Sequence, residues 1–255
     1  MLIIITESYI RLNVCFKLCY DFIGSIQTFK KEVLDFMKAF IKKHEYNHIQ
    51  KHLNNLNNVY KSCVDTNIIE VTKAYTQEKI LNIFTNLSDE EKKLLDISIL
   101  KDSSQFDKYL NELNEYVYGM PNITNGQISK LFKKQKKLKL PNPNAQDSKN
   151  VYLGWIDESI RKLFVAYNLN GKLVGMICRT PNLGSNSSHI CVLCNHVGGE
   201  SEVAFVSPVC KTDSTGEGAY KSMAFDLCLD SAKCNELIVS IEKLEKILKA
   251  VNNIK

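Results

Sequence analysis

Four cysteines constrain this chain more than any other feature. Cys191-Val192-Leu193-Cys194 forms a Cys-x-x-Cys turn, and two more follow in Cys228-Leu229-Asp230-Ser231-Ala232-Lys233-Cys234. Cys228 closes a strand-like run containing Phe225 and Leu227. Cys234 falls in the first turn of a helix that Asp230 or Ser231 would cap. A knuckle, a hairpin and a last ligand at a helix start is the layout of a treble-clef zinc finger. Four thiolates make a soft tetrahedral cage for Zn²⁺. The helix start favours the thiolate of Cys234, and the metal closes loops that a small domain holds weakly. The rival reading is a thioredoxin-like redox pair at Cys191 and Cys194. Such a pair opens a helix after a strand, whereas Gly198-Gly199 follows here. His196 could replace a ligand, but four cysteines suffice. A closed four-cysteine site has no open coordination position, so the expected zinc is structural.

The remaining composition narrows the class. In 255 residues, 44% hydrophobic and 24% charged, there is room for one or two packed domains and no sign of disorder. Nine cysteines is an odd number, which argues against a disulfide framework. No apolar run approaches the roughly 18 residues of a membrane span. Met1-Leu2-Ile3-Ile4-Ile5 is interrupted by Glu7 and Arg11 and lacks the flanks of a signal peptide. The expected location is cytoplasmic, with Cys15, Cys19, Cys63, Cys178 and Cys210 read as buried or incidental thiols.

Residues 1–36 are apolar-rich without a clean period. Lys31-Glu32-Val33 can be encoded by a ribosome-binding-site pattern just before Met37. The reading is therefore an extension at 1–36 that is not translated, with the true start at Met37; a genuine N-terminal helix is the alternative. Residues 37–118 read as a four-helix bundle. Ile49, Leu53, Leu56, Tyr60 and Cys63 share one helical face. A second helix runs from about Asn67 to Leu87 with Ile80, Phe84 and Leu87 inward. Ser88 and Glu91 form a capping box for a third, carrying Leu94, Leu95 and Ile97. The fourth uses Phe106, Leu110, Leu113 and Val117. Gly119-Met120-Pro121-Asn122 marks the boundary to a zinc-binding α/β domain at 119–255, giving an α+β chain overall.

In that domain Thr124 and Gln127 form a second capping box. Strands are expected at Arg161–Tyr167, Lys172–Arg179 and Glu202–Val206, with Asn170-Gly171 turning the first two. Trp155 precedes this hairpin and packs on its face. One long amphipathic helix, about Ala232 to Val251, is expected at the end, with Leu237, Ile241, Leu244, Leu248 and Val251 on its apolar face.

Two polar features are less specific. His44, His48 and His52 lie one turn apart, a possible metal face but more simply a solvated one. Lys130, Lys133, Lys134, Lys136, Lys137 and Lys139 carry more positive charge than the chain's whole net +5. They could bind RNA phosphate or an acidic protein, or simply face solvent; Phe132 alone interleaves them, too little for a base-stacking platform. No P-loop, Gly-x-Ser-x-Gly, His-Glu-x-x-His or deaminase pattern is present, so the expectation is a protein that is not an enzyme.

These residues together resemble the FusB-type fusidic acid resistance proteins, a family of elongation factor G-binding proteins. The resemblance spans about Met37 to Asn252. It rests on Tyr46-Asn47-His48-Ile49, Leu56-Asn57-Asn58-Val59-Tyr60-Lys61, Leu131 through Pro141, Leu153-Gly154-Trp155, Cys191-x-x-Cys194-Asn195 and Cys228-x-Asp230-Ser231-x-x-Cys234-Asn235. It implies a helical bundle followed by a four-cysteine zinc domain that binds the C-terminal domains of elongation factor G. It further implies a protein that releases the drug-locked factor from the ribosome, without chemistry on the drug; the expected state is a monomer. Tyr220 and Lys221, with Phe225 nearby, occupy the family's partner-binding position; a packing role for Tyr220 is the alternative. The extension lies outside the family pattern, and the stretch around Cys210 and Ser222-Met223-Ala224 is less lysine-rich. The second functional reading is a ribosome- or RNA-binding zinc module working through Lys130–Lys139, with ribosomal RNA as the contact. A zinc enzyme is a third, disfavoured by the closed site.

Overall fold

The computed structural model describes residues 39–142, 149–181, 187–211 and 222–254. The extension, Met37, Cys15, Cys19, Tyr220 and Lys221 lie outside them. Ile41–Lys255 forms one compact unit. The apolar stripe on the first helical stretch becomes the buried face of α1 (Lys43–Ser62), where Ile49, Leu53 and Leu56 are fully enclosed. Asp65 caps α2 (Thr66–Leu81) by accepting from the N–H of Asn67. Ile80 is buried, but Phe84 and Leu87 lie past the end of α2 and are half-buried. The chain tightens there into short-range bonds, Ile83 N–H to the Ile80 carbonyl and Phe84 N–H to that of Leu81. Ile68, Val71 and Tyr75 point outward from α2.

The Ser88 capping box forms as expected and starts α3 (Asp89–Leu94). Leu95 and Ile97 are buried but fall beyond this helix. The Gln77 carboxamide takes the Leu95 carbonyl at 3.1 Å and the Ile97 N–H at 2.8 Å, replacing the bonds a longer helix would make. Phe106, Leu110 and Leu113 are buried on α4 (Phe106–Asn114). Val117 is not on that helix. It lies in β2 (Val117–Tyr118), paired in parallel with β1 (Ile41–Lys42).

Thr124 and Gln127 make the second capping box, opening α5 (Asn125–Leu131). A five-stranded antiparallel sheet follows. Its order is β3 (Leu153–Asp157), β4 (Lys162–Leu169), β5 (Lys172–Arg179), β8 (Val203–Pro208), β9 (Phe225–Cys228). Asn170 and Gly171 both take positive φ, 50° and 81°, in the two-residue turn between β4 and β5. A small hairpin of β6 (Ser188–Ile190) and β7 (Val197–Gly199) carries the Cys-x-x-Cys turn. Trp155 does not merely pack over the β4–β5 hairpin. It sits in β3, registered opposite Phe164 and stacked on it at 5.1 Å.

The sheet buries both faces. Leu153, Trp155, Phe164 and Ala166 meet Ile128 and Phe132 on one side. Leu163, Val165, Val174 and Met176 meet Leu244, Leu248 and Val251 on the other. The last three belong to α7 (Glu242–Asn252), preceded by α6 (Ser231–Leu237), so the single long terminal helix is two. Ile238 turns to extended backbone (ψ 122°), and its carbonyl is taken by Asn47 of α1. The Ser240 hydroxyl accepts from the N–H of Glu242 as the new helix begins. Leu237 is exposed as a result, and Ile241 is half-buried.

Candidate metal centre

The four cysteines arrive from separate elements. Cys191 follows β6, Cys194 lies in the turn before β7, Cys228 ends β9 and Cys234 sits in the first turn of α6. Their sulfurs all lie within 4.8 Å of one another. Cys191 and Cys234 are 3.9 Å apart and Cys194 and Cys228 3.6 Å. Zn–S bonds of about 2.3 Å in a tetrahedron place sulfurs about 3.8 Å apart, the spacing these two pairs already have. Cys191, Cys228 and Cys234 are buried and Cys194 half-buried. No position is left open to substrate, so the zinc is structural.

The knuckle explains its own shape. Backbone N–H groups of Cys194 and His196 donate to the sulfurs of Cys191 and Cys194 respectively. Asn195, at φ 61°, lets its own N–H turn back to the Cys191 carbonyl at 2.9 Å. The His196 imidazole is not a ligand: its Nε2 lies 3.9 Å from Glu202 and has no hydrogen-bond partner among the described residues. Sulfurs this close cannot all ionise alone. Hydrogen bonds from Cys194, Cys228 and Cys234 drive the Cys191 thiol down, while the Cys191 sulfur holds Cys228 and Cys234 up. A central dication removes that conflict and stabilises four thiolates together.

The surroundings fix the ligands. Asp230 accepts from the N–H groups of Ala232 and Lys233, so it is the N-cap of α6. Ser231 Oγ donates to the Gly154 carbonyl at 2.6 Å. Asn235 is buried and uses its whole side chain. Its Oδ1 accepts from Val151 and Tyr152 N–H, and its Nδ2 donates to the carbonyls of Tyr152 and Ser231. Tyr152, fully buried, hydrogen-bonds Cys234; burial first, then that sulfur, pushes its hydroxyl pKa well up. Outer contacts of this kind set ligand geometry. Cysteine spacing alone does not single out Asn235 and Tyr152 as supports; an Asn directly after the last cysteine is the available signal.

The other candidates fall elsewhere. Phe225 opens β9, half-buried against the core beside the finger. Cys178 is buried in the sheet, its thiol pushed up to about 12 by burial. His48 and His52 meet Nε2 to Nε2 at 3.1 Å on α1, without a third ligand among the described residues. All six lysines between 130 and 139 are exposed. An apolar surface that periodicity did not reveal lies on the finger itself. Ile190 and Val197, registered opposite each other on the β6–β7 hairpin, are each 57% exposed. Phe205 on β8 is exposed too, and Asp226, opposite it, holds His189 of that hairpin at 2.9 Å.

Two family models match the chain in succession. The family model of the elongation factor G-binding protein N-terminal domain matches residues 40–121. The FBP C-terminal treble-clef zinc-finger model matches residues 127–249. The solved structure of the fusidic acid resistance protein FusC is similar, with TM-score 0.67 and 24% identity over 84% of this chain and 98% of that one. No curated protein sequence matches.

Proposed function

We propose, because the chain belongs to the family of elongation factor G-binding proteins with a C-terminal treble-clef zinc finger, that it binds elongation factor G and promotes its release from the ribosome. The observation that carries this reading is the match to both family models, and the four-cysteine centre is closed. A metal without an open position does no chemistry on a substrate, so what the finger offers is its outer surface. That surface bears Ile190, Val197 and Phe205, while Phe225 packs half-buried against the core. Tyr220 and Lys221 belong to the segment leading into β9 and are the proposed anchor and charge of the contact.

The mechanism is differential binding. To release a factor held on the ribosome, the protein binds its releasing conformation more tightly than its held one, by the free energy it contributes. It acts in the cytoplasm as a monomer, on the C-terminal domains of the factor, and leaves the drug unaltered. Protection from fusidic acid follows, and the similar protein FusC is itself a fusidic acid resistance protein.

The test is a reconstituted one. Ribosomes stalled with elongation factor G and fusidic acid are mixed with the zinc-loaded chain, and free factor is separated and measured. A dose-dependent rise in free factor, abolished by Tyr220→Ala, supports the reading. Release unchanged by saturating protein that still binds the isolated factor would sink it.

A further inference from the structure

The lysine segment is built, not merely basic. Phe132 is buried against the stacked pair of Trp155 and Phe164, edge-on to both at 5.6 and 5.3 Å. Trp155 Nε1 donates to the Lys139 carbonyl at 2.9 Å, and Lys162 Nζ to Gln135 Oε1 at 2.6 Å. Leu138 packs on the same apolar cluster. The segment is thus fastened to the sheet at its beginning, middle and end. Its apolar side chains point in, and Lys130, Lys133, Lys134, Lys136, Lys137 and Lys139 point out.

Nothing described neutralises those ammonium groups. None forms an ion pair with another described residue. The sequence has no acidic residue between Glu115 and Asp147. At the edge of the same sheet face, Lys162 of β4 stands directly opposite Arg179 of β5, so two further cations lie beside the segment. Asp157, in register with Lys162, is buried and accepts from Ser159. Lys137 takes a left-handed backbone, φ 53°, which Gly or Asn adopts more readily. The segment therefore accepts backbone strain at a position whose side chain contributes only a charge.

We infer that this fastened lysine surface is an RNA-binding site that takes the phosphate backbone without reading sequence. A protein interface wants aromatic or apolar anchors at its centre, and here Phe132 and Leu138 are turned away into the core. Base stacking is excluded for the same reason. What remains is six exposed lysines on an anchored backbone, with no ion-pair partner among the described residues, and that positive surface suits a run of phosphates. This surface is built from α5 and the residues after it over Trp155 and Phe164, whereas the surface proposed for elongation factor G bears Ile190, Val197 and Phe205 on β6, β7 and β8.

The experiment is fluorescence anisotropy of the zinc-loaded full chain with a labelled oligouridine. The expected result is binding at low salt, with log affinity falling against log salt at a slope of about −4, from ~0.7 per phosphate over six contacts. The quadruple variant Lys133→Gln, Lys134→Gln, Lys136→Gln, Lys137→Gln should bring the slope to about −1.5 and weaken low-salt binding at least ~100-fold. Lys137→Asn suits the left-handed backbone while removing one charge; it should reduce the slope by about 0.7 with the fold unharmed. Affinity for elongation factor G should be unchanged in both. No RNA binding at about 50 mM salt, or a slope the variants leave alone, overturns the inference. So does a quadruple variant that keeps RNA binding but loses elongation factor G, which would make the segment a protein interface.

Discussion

The side-chain amide of Asn47, on the first helix of the bundle, donates to the backbone carbonyl of Asn235, the residue after the last zinc ligand, at 2.7 Å. The same amide donates to the Ile238 carbonyl at 2.8 Å, where the finger helix ends. One buried side chain thus ties the helical half of the chain to the element that carries Cys234. Asn47→Ala leaves both carbonyls without that partner. It should lower stability by about 2–3 kcal/mol, since an unsatisfied buried polar group costs ~1–3 kcal/mol. Urea denaturation measures this; a loss below about 0.5 kcal/mol would show that the tie carries little.

Cys228→Ser should release zinc and loosen the finger while α1 and α2 remain helical. Trp155 is the only tryptophan and sits in the sheet, away from the bundle helices, so its signal reports on the zinc-bearing half. Zinc content should fall and the near-ultraviolet Trp signal weaken, with most far-ultraviolet helicity retained. Full zinc occupancy with an unchanged thermal transition would contradict the ligand assignment.

His44 should resist protonation. Burial, with the charges of Lys42 and His48, lowers its pKa to about 4 from an ordinary 6.5. Between those values the unfolded chain binds more protons than the folded one, so this group's contribution to stability grows as pH rises from about 4 to about 6.5. The contribution is complete above that range and lost as pH falls through it. A proton NMR titration should place the His44 midpoint near 4. A midpoint near the ordinary 6.5 would mean its imidazole is solvated.

Gly175 is the point at which β5 lets the lysine segment approach. A Cβ there would lie 2.7 Å from Phe132 Cζ and 2.8 Å from Leu131 Cδ2. Gly175→Ala should cost about 1–3 kcal/mol and lift the segment from the sheet. The emission of Trp155, whose indole holds the Lys139 carbonyl, should shift. Unchanged emission and stability would show that the segment is not fastened there.

Features set by neighbours in sequence were legible before the fold was known. Ser88 with Glu91, Thr124 with Gln127, and Asn170-Gly171 each formed the local structure their chemistry implied. The spacing of Cys191, Cys194, Cys228 and Cys234 was equally readable, because a single ion dictates it. What escaped was set by distant partners. Gln77 ends the third helix from across the bundle, and Asn47 captures Ile238 and splits the terminal helix. Val117 leaves its helical stripe for the strand partner Ile41. Ile190 and Val197 lie in a hairpin too short for periodicity, so their exposure became visible only in three dimensions.

If the zinc finger docks elongation factor G, the two proteins form a complex without the ribosome. Calorimetric titration of the zinc-loaded full chain into purified elongation factor G, at two salt concentrations, measures that complex. The predicted result is a dissociation constant of roughly micromolar or tighter, with mild salt dependence. Tyr220→Ala should weaken binding by about tenfold or more, as expected of a central aromatic anchor. No heat of binding and no complex on gel filtration, with zinc bound and the fold intact, would contradict it.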